Sequence, residues 1–367
     1  FNNFLDKNYY FLNNMYYKEL EERDSLLENK INNIMKTINL TDFKLLKYKE
    51  IDDNYGFVGR WFEKDVNGIP HKVTINQGSE IYFKTKGATD VNVNFTNICS
   101  KDVPYFAYSI DGNDFIRQPI TQGAITGLSE EEHIIRVVCE SMTETENKWN
   151  NEIGFAFKNA TVNSGTIIGI LPENRKIMFY GDSITEGINV LNEGANSSVN
   201  SAIGAFPFIT CNILNAISYR VGFGATGVTK SGSGGVPKCL TYIDYLTNSR
   251  ENNKDINPDV IVLNHGTNDL NADADTFIEE YNKVLDRLFI KYPGTPIFVM
   301  IPFGQYQATN IRTCVDKRSY CYLVETDGWN ISLTDKYHPD LAGGKIAGEK
   351  LAIFIEKILG KSFFIGR

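Results

Sequence analysis

A chain of 367 residues with 42% hydrophobic content is long enough to bury two cores. Its formal net charge of −8 argues against a nucleic-acid partner. No apolar run reaches the ~18 residues that a membrane span requires, and no block of like charge forms a basic tail.

Residues 1–40 contain YYKELEERDSLLENKINNIMKTI, with apolar and charged residues at helical spacing and no Gly or Pro, so an N-terminal helical segment is expected there. From 41 to 170 the pattern changes. KVTINQ, SEIYFKTKG, DVNVNFT, YFAYSIDG, EEHIIRVVCES and IGFAFKNATV are short, rich in β-branched and aromatic residues, and separated by turn signals such as DVNG and DGND. Such spacing predicts an antiparallel β-sandwich or jelly roll. From 171 to 367 near-continuous apolar runs at 176–181, 217–224, 259–266, 296–304 and 321–326 alternate with helical patterns at 273–293 and 341–359. That alternation predicts an α/β domain, three layers built on a parallel sheet covered on both faces. Ligands of such sheets bind beyond the carboxyl ends of the strands.

The chemistry-bearing residues fall at those ends. GDSITEG places Ser183 directly after the first run; it departs from G-x-S-x-G at Thr185, so the nucleophile elbow of α/β-hydrolases is not matched. Ser183 reads either as a helix N-cap or as a nucleophile helped by the amides of a helix N-terminus. A serine nucleophile needs a base. In TDKYHPD, Asp335 precedes His338 by three residues, close enough to reach Nδ1 and leave Nε2 for the serine. Pro339 keeps His338 out of a helix. His265, in NHGTND, is the runner-up base but sits at the end of an apolar run, as a packing residue would. Asn268 in that stretch, and Gly224 or Gly227 in FGATGVT, are candidate oxyanion donors; SGSGG at 231–235 lacks the ending of a phosphate-binding loop. The six cysteines form no C-x-x-C pair and the four histidines no H-E-x-x-H, so no metal or other cofactor is expected. Cys314 and Cys321 read equally as a disulfide or as buried thiols.

GDSITEG, Gly227, GTND and DKYHPD, in this order, make the region 175–360 resemble the SGNH/GDSL hydrolases. The resemblance implies Ser183 as nucleophile and first oxyanion amide, Gly227 and Asn268 as further donors, and Asp335 and His338 as the remaining triad members. The Gly block departs from the usual wording at Thr226, which leaves Gly224 and Gly227 both open. A sandwich before the GDSITEG domain, with VGRWF, AYSIDG, EEHIIRVV and ETDGW, is similar to carbohydrate esterase family two. This implies a secreted serine esterase, its signal peptide removed before Phe1, that takes O-acetyl groups from xylan- or mannan-type carbohydrate. Trp329 is then the residue expected to stack on a sugar ring or to pack the histidine loop, and Trp61 is expected in the sandwich core. Two other readings remain: a lipid or thioester hydrolase on the same scaffold, and a glycan-binding protein whose hydrolase domain is vestigial.

Overall fold

The computed structural model describes residues 54–252 and 256–365. The helix expected within 1–40 lies outside them.

The alternating runs of the first half pair as two antiparallel sheets. One has the strand order Gly56–Val58, Glu80–Lys86, His133–Ser141, Tyr105–Ile110, Ile116–Pro119, with Thr166–Gly169 also pairing Glu80–Lys86. The other runs Phe62–Val66, Ile69–Thr74, Phe155–Val162, Asp90–Asn97, Ala124–Thr126. Side chains one residue in two turn inward, so Ile81, Phe83, Ile135 and Val137 of the first sheet share a buried cluster with Val91, Val93, Phe155 and Phe157 of the second. Trp61 is part of that cluster.

The second half carries a parallel five-stranded sheet in the order Ile217–Gly222, Lys176–Gly181, Val260–Asn264, Ile297–Met300, Cys321–Val324. Every residue of the three strands Ile217–Gly222, Val260–Asn264 and Ile297–Met300 is buried, which is why they read as near-continuous apolar runs rather than alternating ones. Alternation survives in where the side chains go. Ile177, Phe179, Val260 and Val262 join the helices Phe206–Ile213 and Leu341–Leu359 on one face. Met178, Tyr180, Ile261 and Leu263 join Cys239–Asp244, Ala274–Lys291 and Ala308–Val315 on the other. Helix, sheet and helix thus form three layers.

The run read as a strand over 217–224 stops at Gly222. The Phe223 amide makes the last bond to the neighbouring strand, to Gly181 O at 3.2 Å, and past it the backbone leaves the ladder, the Gly224 amide donating to Glu186 Oε2 at 2.7 Å. All six cysteines are free thiols, so Cys314 and Cys321 are not a disulfide. Among the described residues no helix is long and apolar enough to cross a membrane.

Phe179 is fully buried against Phe206, ring centroids 6.1 Å apart. Phe179→Ala should cost about 3–5 kcal/mol through lost burial and the cavity left behind. Urea unfolding of the two proteins checks this.

Candidate active site

The strand Lys176–Gly181 delivers Asp182 and Ser183 to the carboxyl edge of the sheet. Asp182 caps the helical turn Ser183–Glu186, its Oδ1 accepting from the Ile184 amide at 3.0 Å. Asp182, not Ser183, is therefore the N-cap, and the serine hydroxyl is left for another partner. That partner is His338: Nε2 lies 2.8 Å from Ser183 Oγ. The ring's Nδ1 lies 2.7 Å from Asp335 Oδ2.

His338 sits on a narrow loop pinched by a bridge between Leu333 and Pro339 and by the Thr334 amide donating to His338 O at 2.8 Å. Asp340 then caps the last helix through the Gly343 amide. Asp335 organises the loop from inside. Its Oδ1 accepts from the amides of Tyr337 and His338 at 2.7 and 2.8 Å, and its Oδ2 accepts from Asn189 Nδ2 at 2.8 Å. Burial alone would raise the Asp335 pKa, but the donors from Asn189, the two amides and His338 outweigh it and hold the carboxyl well below the usual carboxylate range. An ionised Asp335 fixes the proton of His338 on Nδ1 and leaves Nε2 as an acceptor toward Ser183.

Asn189 gives no sequence signal for this contact. It has a left-handed backbone (φ 56°), its amide donates to Asn200 Oδ1 at 2.9 Å, and Asn200 Nδ2 donates to Met142 O at 2.9 Å. The carboxylate is thereby tied to the antiparallel half of the molecule.

The oxyanion candidates separate on where their amides point. The Gly227 amide donates to Lys230 O at 3.0 Å, and Gly224's to Glu186, so neither is free in this structure. Gly227 is bare for another reason: a Cβ there would lie 2.4 Å from Asp269 Oδ1. Asp269 needs that space, because it accepts from the amides of Val228 and Thr229 at 3.1 and 2.8 Å and holds the turn. Between the two glycines stands Ala225, half-exposed, in a left-handed conformation (φ 58°), and its amide has no acceptor among the described residues. The Ser183 amide has none among them either. Asn268 Nδ2 donates to Thr226 O at 3.0 Å and has only a long 3.4 Å contact to Asp182 Oδ2. His265 is fully buried with Nε2 2.6 Å from Tyr242 Oη; burial lowers its pKa to about 4, so it packs behind the site as a neutral ring.

Beside Ser183 opens a cavity of about 210 Å³, bounded by Ile184, Thr267 and Tyr337, the chain neighbours of Ser183, Asn268 and His338. Phe303, Tyr306 and Trp329 give it aromatic walls, and Trp329 also packs on Phe303 with centroids 6.2 Å apart. Trp329 thus lines the cavity and packs on the loop that follows Ile297–Met300.

No protein-family model matches the chain, and no curated protein matches its sequence. Solved structures do. A family two carbohydrate esterase from Clostridium thermocellum, in complex with cellohexaose, aligns with a TM-score of 0.68 at 21% identity, covering 84% of this chain and 99% of its own. An acetyl xylan esterase from the rumen bacterium Butyrivibrio proteoclasticus gives 0.66 at 16%, covering 84% and 96%. A salicylyl-acyltransferase from a tetracycline biosynthetic pathway gives 0.60 at 12%, with the same coverage of 84% and 96%. The chain has the fold of the family two carbohydrate esterases.

Burial raises the Asp182 pKa to about 7, with the Asp269 charge adding to the rise. The folded state therefore holds a proton on Asp182 that the unfolded chain releases near the ordinary carboxylate value of about 4. The stability this contributes is complete below about 4 and lost as pH rises through about 7. Asp182→Asn cannot titrate, so wild type should lose stability relative to the variant between those limits and run parallel to it above. Chemical unfolding at a series of pH values reads the difference.

Proposed function

We propose that the protein is a serine esterase that removes O-acetyl groups from xylan- or mannan-type carbohydrate. The observation that carries the reading is the line Asp335–His338–Ser183, with hydrogen bonds of 2.7 and 2.8 Å, at the strand ends of a fold shared with carbohydrate esterases. With this reading go a secreted protein, a jelly-roll-like sandwich over 41–170 and a hydrolase domain over 171–367.

In the mechanism His338 Nε2 takes the hydroxyl proton as Ser183 Oγ attacks the acetyl carbonyl. Asp335 stabilises the imidazolium so formed. The carbonyl oxygen becomes an anion and needs donors that are already in place. The amides of Ser183 and Ala225 fit, since neither is spent among the described residues, and Asn268 contributes the N–H now held only by the long contact to Asp182. Ala225 thus replaces Gly227 as the expected backbone donor. The tetrahedral intermediate collapses, His338 protonates the departing sugar oxygen, and the acetyl group stays on Ser183. Water, deprotonated by the same ring, then releases acetate.

Carbohydrate is favoured by the cavity wall. Trp329, Tyr306 and Tyr337 offer flat faces to a sugar ring, while Asp327, Asn330 and Lys336 offer polar groups to its hydroxyls. Fold alone does not choose the acyl group.

Two measurements test the proposal. Wild type should release acetate from 4-nitrophenyl acetate and from acetylated xylan or glucomannan, and Ser183→Ala should not; preference for 4-nitrophenyl octanoate with no action on polysaccharide would move the assignment to lipid esters. Within the machinery, Asp335→Asn should lower kcat on the order of 10⁴-fold by releasing the wrong tautomer, and Asn268→Ala on the order of 10²–10³-fold. Steady-state kinetics on 4-nitrophenyl acetate gives both figures.

A further inference from the structure

Glu186 ends the nucleophile's helical turn, and its side chain is fully buried. One carboxylate oxygen forms an ion pair with Lys148, itself only 1% exposed. The other accepts from the Gly224 amide at 2.7 Å. Lys148 opens the short helix Lys148–Asn151, in the connection between the antiparallel strands His133–Ser141 and Phe155–Val162. A cation from one half of the molecule thus meets, inside the protein, a carboxylate three residues past the serine.

A buried ion pair is seldom kept for stability, because an apolar pair of similar volume does as well or better. This one holds something else. Gly224 is gripped at both ends: its amide by Glu186, and its carbonyl by the Ser233 amide at 2.9 Å. Ser233 is in turn held by Glu144 Oε1, 2.9 Å from its hydroxyl, and the Glu144 side chain lies where a Cβ on Gly224 would sit. The Gly224 carbonyl and the Ala225 amide belong to one planar trans peptide, so fixing the carbonyl fixes the opposite direction in which the Ala225 N–H points. Ala225 also holds an αL backbone that an alanine adopts only at some cost, so it needs support from outside.

We propose that Lys148 and Glu186 are a positioning pair: Glu186 carries the Gly224 amide so that the Ala225 N–H is aimed at the oxyanion, and Lys148 cancels the charge that Glu186 would otherwise set beside that anion. The inference rests on the esterase reading. It deepens it by giving residues 144–148 a part in the catalytic geometry.

The test compares two double variants. Lys148→Met with Glu186→Gln removes both charges but keeps an oxygen acceptor for Gly224. Lys148→Met with Glu186→Leu removes both charges and the acceptor. Thermal unfolding identifies folded material. On 4-nitrophenyl acetate the Gln variant should recover kcat to within about tenfold of wild type. The Leu variant should lose on the order of 10²–10³-fold in kcat, as the loss of one oxyanion donor does, with KM little changed. Affinity for phenylboronic acid, which forms a tetrahedral adduct on a serine hydroxyl, should fall in the Leu variant and not in the Gln variant. Single Lys148→Met, which leaves Glu186 buried without its cation, should be worse than the Gln double. Equal kcat and equal boronate affinity in the two doubles would overturn the positioning role while leaving the esterase intact. A folded wild type silent on every acetyl ester would overturn both.

Discussion

Gly181 and Gly222 lie side by side at the carboxyl edge of the parallel sheet, and the site depends on the backbone being bare there. A Cβ on Gly181 would stand 2.0 Å from Thr185 Oγ1, and one on Gly222 would stand 2.6 Å from the Glu186 amide. The helical turn that carries Ser183 lies directly on these two strand ends. Because it does, the serine sits against the sheet rather than above it, and Glu186 reaches back to the loop that follows the neighbouring strand. Widening the edge by one methyl group would push the turn that carries Ser183 away from the loop at Gly224.

The opposite pole of the site is electrostatic. Ser183 and Asp182 are neighbours in sequence, yet burial raises the Asp182 pKa to about 7, whereas Asp335 is held well below the ordinary range although burial acts on it in the same direction. The difference lies in burial and in donors, for Asp182 is fully buried and Asp335 only partly. Asp335 collects two amides, an asparagine amide and the imidazole, whereas Asp182 faces a second carboxylate, Asp269. Four donors outweigh the desolvation of the partly exposed Asp335, whereas the Ile184 amide does not outweigh that of the fully buried Asp182.

The line Asp335–His338–Ser183 was legible in the sequence because its spacing is local. Asp335 and His338 are three residues apart, and Ser183 follows an apolar run, so simple rules of reach and strand ending find them. The runs of the parallel sheet were legible for the same reason, with errors confined to their ends. The left-handed turn at Ala225 was not. Glycine is the usual sign of a left-handed turn with an exposed amide, and here the glycines on either side serve the packing of Glu144 and Asp269 while an alanine takes the turn. Nor could Asn189, Lys148 or Glu186 be picked out. Their roles arise from contacts across 146 residues to Asp335 and across 38 between the ion-paired residues, and no spacing rule operates at that range.

Those long contacts divide the labour of the fold. From the antiparallel half, Met142 reaches Asp335 through Asn200 and Asn189, while Glu144 and Lys148 reach the loop at Gly224 through Ser233 and Glu186. Asp335 and the loop at Gly224 are both braced from there. The cavity wall is built otherwise. Apart from Ile184 and Thr267, its residues come from 303–306 and 326–337, the loops after the last two parallel strands. A scaffold arranged in this way can change what it binds in those loops without disturbing the braced chemistry, which is consistent with one fold serving an acetyl xylan esterase and a salicylyl-acyltransferase.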